Sequence, residues 1–245
     1  MAAGTQVAEG VHRLGSRLFN YYLLEGADGL TVVDAGLPGL RPSLDETLSA
    51  LGRSLDDIRA VVLTHGHGDH IGIAEGLRTE AGVPVYIHAR DEELARTGRQ
   101  PKRERSLVPY LRHGAAWGLI AGFIRNGRPP KIGAVTTFAD GDVLDVPGRP
   151  AVIPTPGHTD GHVSFHLPDR GVIFAGDAMN SRNPLTGRIG PQIMPASFNI
   201  SSAQALESLS NLEGLDAGTV LFGHGDPWND GVASAVASAR RLGPS

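Results

Sequence analysis

Hydrophobic residues in the first half of the chain fall into short runs that alternate between strand-like and helix-like spacing. The segments "YYLLEG" and "LTVVDAG" are predicted to form a hairpin whose second strand ends at Asp34. The elements predicted next are a helix, a strand, a helix, a strand and a helix, at residues 41–52, 60–64, 72–82, 83–88 and 90–98. This order is typical of an α/β fold.

The second half of the chain returns to the same alternation. Strands are predicted at 151–155, 163–168, 171–176 and 219–223, with a helix at 202–212 before the last of them. In both halves, strands run into loops that carry histidine or aspartate, which is typical of two similar half-sheets. Because no linker divides the chain, we predict a single domain over residues 1–245.

Residues 99–131 interrupt the alternation and are predicted to form a helical insert. Its central part, "AAWGLIAGFI", is apolar but too short to span a bilayer. Gly114, Gly118 and Gly122 are four residues apart and share one helix face, which indicates that another element approaches this helix closely. The insert also supplies Trp117, which we expect either to line a substrate pocket or to pack the insert onto the sheet.

Composition and charge exclude several classes of protein. Hydrophobic residues make up 40% and charged residues 20% of the chain, which is typical of a globular domain. The absence of cysteine excludes disulfides, thiolate metal ligands and a cysteine nucleophile. The net charge is −4, and the single basic run, "PKRER" at 101–105, is too short for a nucleic-acid-binding face. The first residues lack the apolar core of a signal peptide, so we expect a cytoplasmic protein without a membrane partner.

Three histidines and an aspartate are concentrated in "LTHGHGDHIG", residues 63–72. Imidazole and carboxylate are the ligands that zinc and similar divalent ions prefer. His65 and His67 are two residues apart and can converge on one ion where the chain is extended or turning. Asp69 and His70 are adjacent and are placed to serve a second ion. The glycines between them permit the turns that such convergence needs.

Further candidate ligands follow other predicted strands. His158, Asp177 and His224 each come just after a strand, in "TPGHTDGH", "FAGDAM" and "LFGHGD". In open α/β sheets, ligands gather at the carboxyl ends of strands. A histidine-rich surface loop would need no such companions, so the sequence predicts one metal site built from four strand ends.

Residues 65–70 read His-x-His-x-Asp-His, and His158, Asp177 and His224 follow in order. With these motifs the chain resembles the metallo-β-lactamase superfamily, from about Val11 to Trp228. The resemblance implies a four-layer αββα sandwich. It implies that the first metal is bound by His65, His67 and His158, that the second is bound by Asp69, His70 and His224, and that Asp177 bridges the two. Asp34, in "VVDAG", is implied to support the site without binding metal.

The details of the motifs are similar to the glyoxalase II and lactonase branches, because His70 is present and cysteine is absent. Many lactonases have a tyrosine three residues after the bridging aspartate, where this chain has Asn180. Asn180 and Trp117 are therefore our candidate substrate-binding residues. His162, in "GHTDGH", is a candidate either for orienting the metal ligands through a hydrogen bond or for packing a turn.

The resemblance implies two divalent metal ions, with zinc as the leading candidate and iron or manganese as alternatives. Two such ions lower the pKa of a shared water, so we expect a metal-bridging hydroxide to attack an ester-like bond in a lactone, a thioester or a related acyl compound. Asp69 is the candidate catalytic residue, as metal ligand and proton acceptor. The alternatives are a mononuclear iron oxidoreductase of the persulfide dioxygenase type and a metal-binding sensor without turnover. Relatives commonly form homodimers, and the glycine face of the insert helix is a candidate interface.

Overall fold

The computed structural model describes residues 3–244. Within them the strands are β1 (Thr5–Ala8), β2 (Val11–Ser16), β3 (Phe19–Gly26), β4 (Gly29–Val33), β5 (Ile58–Val62), β6 (Val85–His88), β7 (Thr136–Phe138), β8 (Ala151–Pro154), β9 (Val163–Leu167), β10 (Val172–Gly176), β11 (Asn180–Arg182), β12 (Ile189–Gln192) and β13 (Thr219–Phe222). The helices are α1 (Arg41–Ala50), α2 (Gly68–Ile71), α3 (Ala74–Glu80), α4 (Glu92–Thr97), α5 (Gly114–Asn126), α6 (Ser202–Ser208), α7 (Ser210–Glu213) and α8 (Val232–Leu242). None of these helices has the length and apolar character needed to cross a bilayer.

The strands form two main sheets. The first sheet contains β1 to β7 in chain order, antiparallel from β1 to β4 and parallel from β4 to β7. The second sheet has the order β13-β10-β9-β8, in which only β10 and β13 are parallel. Strands β11 and β12 form a separate hairpin. Each half of the chain therefore contributes one main sheet.

The central strands are apolar on both faces, and this places each sheet between two hydrophobic layers. In β3, Tyr21 and Leu23 belong to one core, whereas Tyr22 and Leu24 belong to another. Successive strand residues point to opposite faces, so an uninterrupted apolar run serves two cores at once. The sequence signal for a buried strand is therefore continuous rather than alternating.

Three hydrophobic cores separate four layers. The first core joins α1 and α3 to the outer face of the first sheet, and the second lies between the two sheets. The third joins α6, α7 and α8 to the outer face of the second sheet. The predicted αββα sandwich is confirmed.

Several elements differ from the prediction. Strands β1, β2, β7, β11 and β12 and helix α8 were not predicted, and the helix predicted at 202–212 is interrupted at Leu209 between α6 and α7. The histidine motif itself contains a helical turn, because His67 precedes α2 and Asp69 and His70 lie within it. A one-turn helix is too short to show a hydrophobic period, which explains why it escaped prediction.

The close approach predicted for the glycine face of α5 is present at only one of its three positions. A Cβ atom on Gly122 would lie 2.7 Å from Cε2 of Phe19, so β3 approaches the helix closely there. At Gly114 and Gly118 a Cβ atom would meet nothing within 4 Å. The insert therefore packs onto the sandwich through one end of its glycine face.

Candidate metal centre

Four strands lead into the candidate ligands at one edge of the sandwich. Strand β5 runs into residues 65–70, and β8 runs into the loop that carries His158. Strand β10 ends directly before Asp177, and β13 ends two residues before His224. The carboxyl ends of strands are where sheets of this kind gather their ligands.

The seven candidate ligands lie together. Three sets of side chains have their potential ligand atoms within 4.8 Å of one another. The sets are His65, His67 and His158; His65, His70 and Asp177; and Asp69, His70 and His224. The sets overlap, so one contiguous cluster of imidazole and carboxylate groups offers places for more than one ion.

Asp177 is central to the cluster. Its Oδ2 atom lies 3.5 Å from Nε2 of His70, 3.5 Å from Nε2 of His158 and 3.3 Å from Nε2 of His224. His158 belongs to the first predicted set of ligands, and His70 and His224 belong to the second. One carboxylate therefore touches both sets.

Hydrogen bonds to Asp34 orient two of the imidazoles. Nδ1 of His70 lies 2.9 Å from Oδ2 of Asp34, and the hydroxyl of Thr64 donates to the same carboxylate at 3.0 Å. Because that hydroxyl has used its only proton, it accepts from Nδ1 of His65 at 3.0 Å. In the neutral form of each ring the lone pair is therefore on Nε2, and this is the form that binds metal.

His158 and His224 are fixed in the same tautomer by other oxygen atoms. Nδ1 of His158 lies 3.2 Å from Oδ1 of Asn199, whose amide nitrogen donates to the backbone of Met194 at 2.9 Å. Nδ1 of His224 donates to the carbonyl of Leu18. Both Nε2 atoms face Asp177. The contacts of Asn199 and of the Leu18 carbonyl were not predicted.

Orphaned polar atoms show that the cluster fits a bound cation. Nε2 of His65 and Oδ1 of Asp177 are buried and lack a hydrogen-bond partner among the described residues. Such atoms are costly unless something binds them. Nδ1 of His67 lies 2.8 Å from Nε2 of His158, a separation at which two lone pairs repel unless a proton or a metal ion lies between them. A set of nitrogen and carboxylate donors suits zinc and other borderline divalent ions.

Burial and local charge divide the imidazoles into two groups. Burial and the neighbouring imidazoles hold the pKa values of His65 and His158 well below the ordinary range, and burial also lowers the pKa of His67. Burial acts in the same direction on His70 and His224, but neighbouring carboxylates, chiefly that of Asp177, outweigh it and raise both pKa values. The first predicted set therefore stays unprotonated more readily than the second.

His162 contacts Asp177 without offering a lone pair to an ion. Its Nε2 atom accepts a hydrogen bond of 3.0 Å from the backbone nitrogen of Asp177, and its Nδ1 atom lies 2.9 Å from Oγ1 of Thr155. Burial lowers the pKa of His162 to about 3. The neutral ring thus holds the backbone of Asp177, a candidate ligand, in place, and its partner is a backbone nitrogen rather than a metal-binding imidazole.

Comparison of the sequence with known protein families agrees with this geometry. The sequence profile described as the metallo-beta-lactamase superfamily matches residues 18–224, which is most of the chain. The chain belongs to this superfamily. Its members bind divalent metals, and the predicted family resemblance is confirmed.

Relatives within the superfamily include hydrolases. The chain is 32% identical to the probable metallo-hydrolase YflN of Bacillus subtilis over 241 residues, which cover 92% of this chain and 87% of that protein. It is 30% identical to a hydroxyacylglutathione hydrolase of Rhizobium meliloti over 189 residues, which cover 76% of this chain but 54% of that enzyme.

A solved structure of the same superfamily has the same fold. The metallo-beta-lactamase family protein TTHA1429 from Thermus thermophilus has a TM-score of 0.67 and 27% sequence identity. The match covers 95% of this chain and 78% of that protein.

A buried aspartate outside the superfamily's histidine motif joins the two loops that carry the first set. Oδ2 of Asp91 accepts from the backbone nitrogen of Gly66 at 3.0 Å and from Oγ1 of Thr159 at 2.7 Å. Its Oδ1 atom accepts from the backbone nitrogen of Gly161 at 2.8 Å. In the sequence Asp91 resembled an ordinary acidic residue in the first turn of a helix, so its role was missed.

A cavity of about 360 Å³ opens over the candidate ligands. His67, Asp69, His158, Asp177 and His224 form its base. Its apolar walls are Leu107, Leu119, Ile120, Phe123, Met194 and Phe198. The insert therefore borders the cavity, together with the segment that follows Asp177.

Neither predicted substrate-binding residue lines this cavity. Trp117 is 57% exposed, and its Nε1 atom donates to the carbonyl of Leu111 at 2.9 Å within the insert. Asn180 is fully buried, and its amide nitrogen contacts the sulfur of Met194 at 3.2 Å, so it lies behind a wall residue. Both predictions are therefore corrected. Ile120 and Phe123, rather than Trp117, line the cavity from α5, and Met194 lines it in place of Asn180.

Proposed function

We propose that the protein is a dinuclear metal-dependent hydrolase that cleaves an ester-like bond in a lactone, a thioester or a related acyl compound. The observation that carries the proposal is the position of Asp177, whose carboxylate contacts both sets of imidazoles. In this proposal, His65, His67 and His158 bind the first ion, and Asp69, His70 and His224 bind the second. Asp177 would contribute a ligand to both, and zinc is the proposed ion.

Two divalent ions, held by these residues, would supply a water of lowered pKa and a Lewis acid for a carbonyl oxygen. The protein supplies orientation and proton transfer. Oδ2 of Asp69 lies 3.6 Å from Nε2 of His224, and the side chain stays 14% exposed at the base of the cavity. Asp69 is therefore placed both to bind the second ion and to accept a proton from the attacking water.

The apolar walls support an acyl substrate, because burying apolar surface is what such walls contribute to binding. A hydroxyacylglutathione hydrolase among the relatives supports the same class of compound. The identity to that enzyme is low and part of its length has no counterpart here, so the proposal extends to the acyl class rather than to its substrate.

The completeness of the second set favours a dinuclear hydrolase over a mononuclear iron oxidoreductase. Asp69, His70 and His224 have their potential ligand atoms within 4.8 Å of one another, in addition to the three imidazoles of the first set. A single-ion enzyme has no need of this additional set. A sensor without turnover would keep both sets, so only an activity measurement separates that alternative.

The test is acid release in weak buffer by zinc-loaded protein, with a panel of lactones, alkyl and aryl thioesters, a β-lactam and a phosphodiester. Every one of these hydrolyses liberates a proton, so a single readout covers all of them. We expect turnover of a lactone or a thioester that a chelator abolishes. Turnover of none of the acyl compounds would refute the proposal. For the role of Asp69, full turnover by Asp69→Ala with both ions bound would contradict it.

A further inference from the structure

Positive charge is concentrated in the insert. Residues 99–131 contain eight basic side chains and one acidic side chain, in a chain whose net charge is −4. That acidic residue, Glu104, accepts a hydrogen bond of 2.6 Å from the backbone nitrogen of Ser202, at the start of α6. It is therefore held against another element, and the remainder of the protein is strongly acidic by comparison.

A second cavity, of about 630 Å³, lies where the insert meets the loop between β11 and β12. The insert contributes Arg105, Tyr110, Arg112 and His113, and the loop contributes Thr186 and Arg188. Tyr110 is buried and gives the cavity an apolar floor. The cavity thus combines three guanidinium groups with an apolar surface.

The three arginines have no acidic partner. Within residues 3–244, no carboxylate oxygen lies within 4.0 Å of the guanidinium of Arg105, Arg112 or Arg188, although ten other arginines have such a partner. The one side-chain contact recorded for them joins Nε of Arg112 to Nε2 of His113 at 3.2 Å. Guanidinium groups bind phosphate and carboxylate through paired hydrogen bonds. Three guanidinium groups around one cavity, without a carboxylate partner among residues 3–244, therefore favour a multiply charged anion.

The second cavity borders the cavity over the metal centre. Ser106 lines the second cavity, and its neighbour in the chain, Leu107, lines the first. Arg103 also lines the first cavity, where its guanidinium carbon lies 5.4 Å from the centre of the Phe198 ring. The two cavities are thus separated by residues 103–107, with arginines on both sides.

We propose that this second cavity binds a phosphate-bearing small molecule, through Arg105, Arg112 and Arg188, with Tyr110 beneath its less polar part. The ligand is either the phosphorylated leaving group of the substrate or a separate phosphorylated compound. Binding of a phosphate-bearing molecule in this cavity does not depend on the proposed hydrolytic function. The assignment of that molecule to the leaving group of the substrate does rest on the proposed function.

The test is calorimetric titration of the full-length protein with adenosine diphosphate, and with adenosine as the uncharged counterpart. The test variant is the double substitution Arg105→Ala and Arg188→Ala. The matched control is Arg125→Ala with Arg128→Ala, which also removes two positive charges, at insert positions outside the cavity. We expect the test variant to lose about tenfold or more in affinity for the diphosphate, and the control to stay within about twofold.

Three results would overturn the proposal. The first is that the diphosphate does not bind. The second is an equal loss of diphosphate affinity in both double variants, which would indicate a general charge effect. The third is unchanged diphosphate affinity in the test variant, which would place the diphosphate elsewhere. The melting temperature of each variant verifies that it is folded.

A kinetic arm separates the two sources of the ligand. It compares a thioester of coenzyme A with the same acyl thioester of N-acetylcysteamine, which lacks phosphate. A KM that rises in the test variant for the first substrate only assigns the cavity to the leaving group. Unchanged KM values, with diphosphate binding lost, assign it to a separate compound. If neither thioester is hydrolysed, the thioester activity is refuted and the calorimetric result still stands.

Discussion

Oδ2 of Asp34 lies 2.9 Å from Nδ1 of His70, and the same carboxylate reaches His65 through the hydroxyl of Thr64. One buried side chain therefore orients one proposed ligand of each ion. Asp34 has a φ of 57°, a left-handed conformation that is uncommon outside glycine. Backbone strain of this kind is tolerated where the surrounding contacts hold the residue firmly, as they do here.

We predict that Asp34→Asn weakens metal binding by roughly 10- to 100-fold, the usual effect of losing a partner that orients metal ligands. Asparagine tolerates the left-handed conformation, but it has one oxygen where the carboxylate has two. Either His70 or Thr64 then faces an amide nitrogen. Zinc affinity, measured by competition with a chelating dye, tests this.

The control for this substitution is Asp45→Asn, on the exposed side of α1, which we expect to leave zinc affinity unchanged. Equal zinc affinities of Asp34→Asn and the unmodified protein would show that Asp34 does not orient the ligands.

Acidification is predicted to release the ion of the second set first. Protons and metal ions compete for the same imidazole nitrogens. Carboxylates raise the pKa values of His70 and His224, so protons occupy these rings at a higher pH. Burial lowers the pKa values of His65 and His158, so these rings stay available at a lower pH. Stability contributed by the second ion is therefore present at neutral pH and is lost first as the pH falls.

The measurement is the metal content of the protein after dialysis at a series of decreasing pH values. We expect a plateau near one ion per chain between the two losses. Substitution of His224 by alanine should remove the loss at higher pH and leave the loss at lower pH. Release of both ions in one step from the unmodified protein would contradict the predicted order.

Gly223→Ala is predicted to disrupt the centre. A Cβ atom at this position would collide with Oδ1 of Asp177 and lie 2.6 Å from Cε1 of His70. Overpacking of this kind costs about 1–3 kcal/mol of unfolding free energy, and here the displaced atoms belong to proposed ligands. We expect a lower melting temperature together with loss of bound zinc.

Gly214→Ala provides the matched control, because a Cβ atom there would meet nothing within 4 Å. Its melting temperature and zinc content should match those of the unmodified protein. Retention of two zinc ions by Gly223→Ala would show that the site accommodates the methyl group.

Two substitutions on α5 separate the pocket from the surface. Ile120 lines the cavity over the metal centre, whereas Trp117 is exposed and bonded within the insert. Ile120→Ala should raise KM for an apolar acyl substrate by about tenfold, the result of losing buried apolar contact. Trp117→Ala should leave KM unchanged, and the reverse pattern would place Trp117 in the substrate pocket after all.

The contrast between these two residues illustrates what the sequence could and could not predict. The clustering of the candidate ligands was predicted from histidines and aspartates at strand ends, and the four-layer fold was implied by the family resemblance that those motifs carry. The sequence could not predict which side chains of α5 face the cavity. The helix is apolar on nearly all sides, so the spacing of its apolar residues does not mark an inner face.

Contacts between distant parts of the chain were also beyond prediction. Asn199 orients His158 from 41 residues away, and the carbonyl of Leu18 orients His224 from 206 residues away. Asp91 looked like a helix-start residue and instead joins two loops of the centre. Backbone carbonyls and single polar residues have no sequence pattern that reports such long-range partners.

We propose that hydrolysis requires two metal ions in the cluster around Asp177. The most direct measurement is the turnover of an acyl substrate by metal-free protein as zinc is added back stepwise. We expect turnover to be absent without zinc and to rise to a plateau at two ions per chain. A plateau at one ion per chain, or turnover that does not depend on zinc or any other metal, would contradict it.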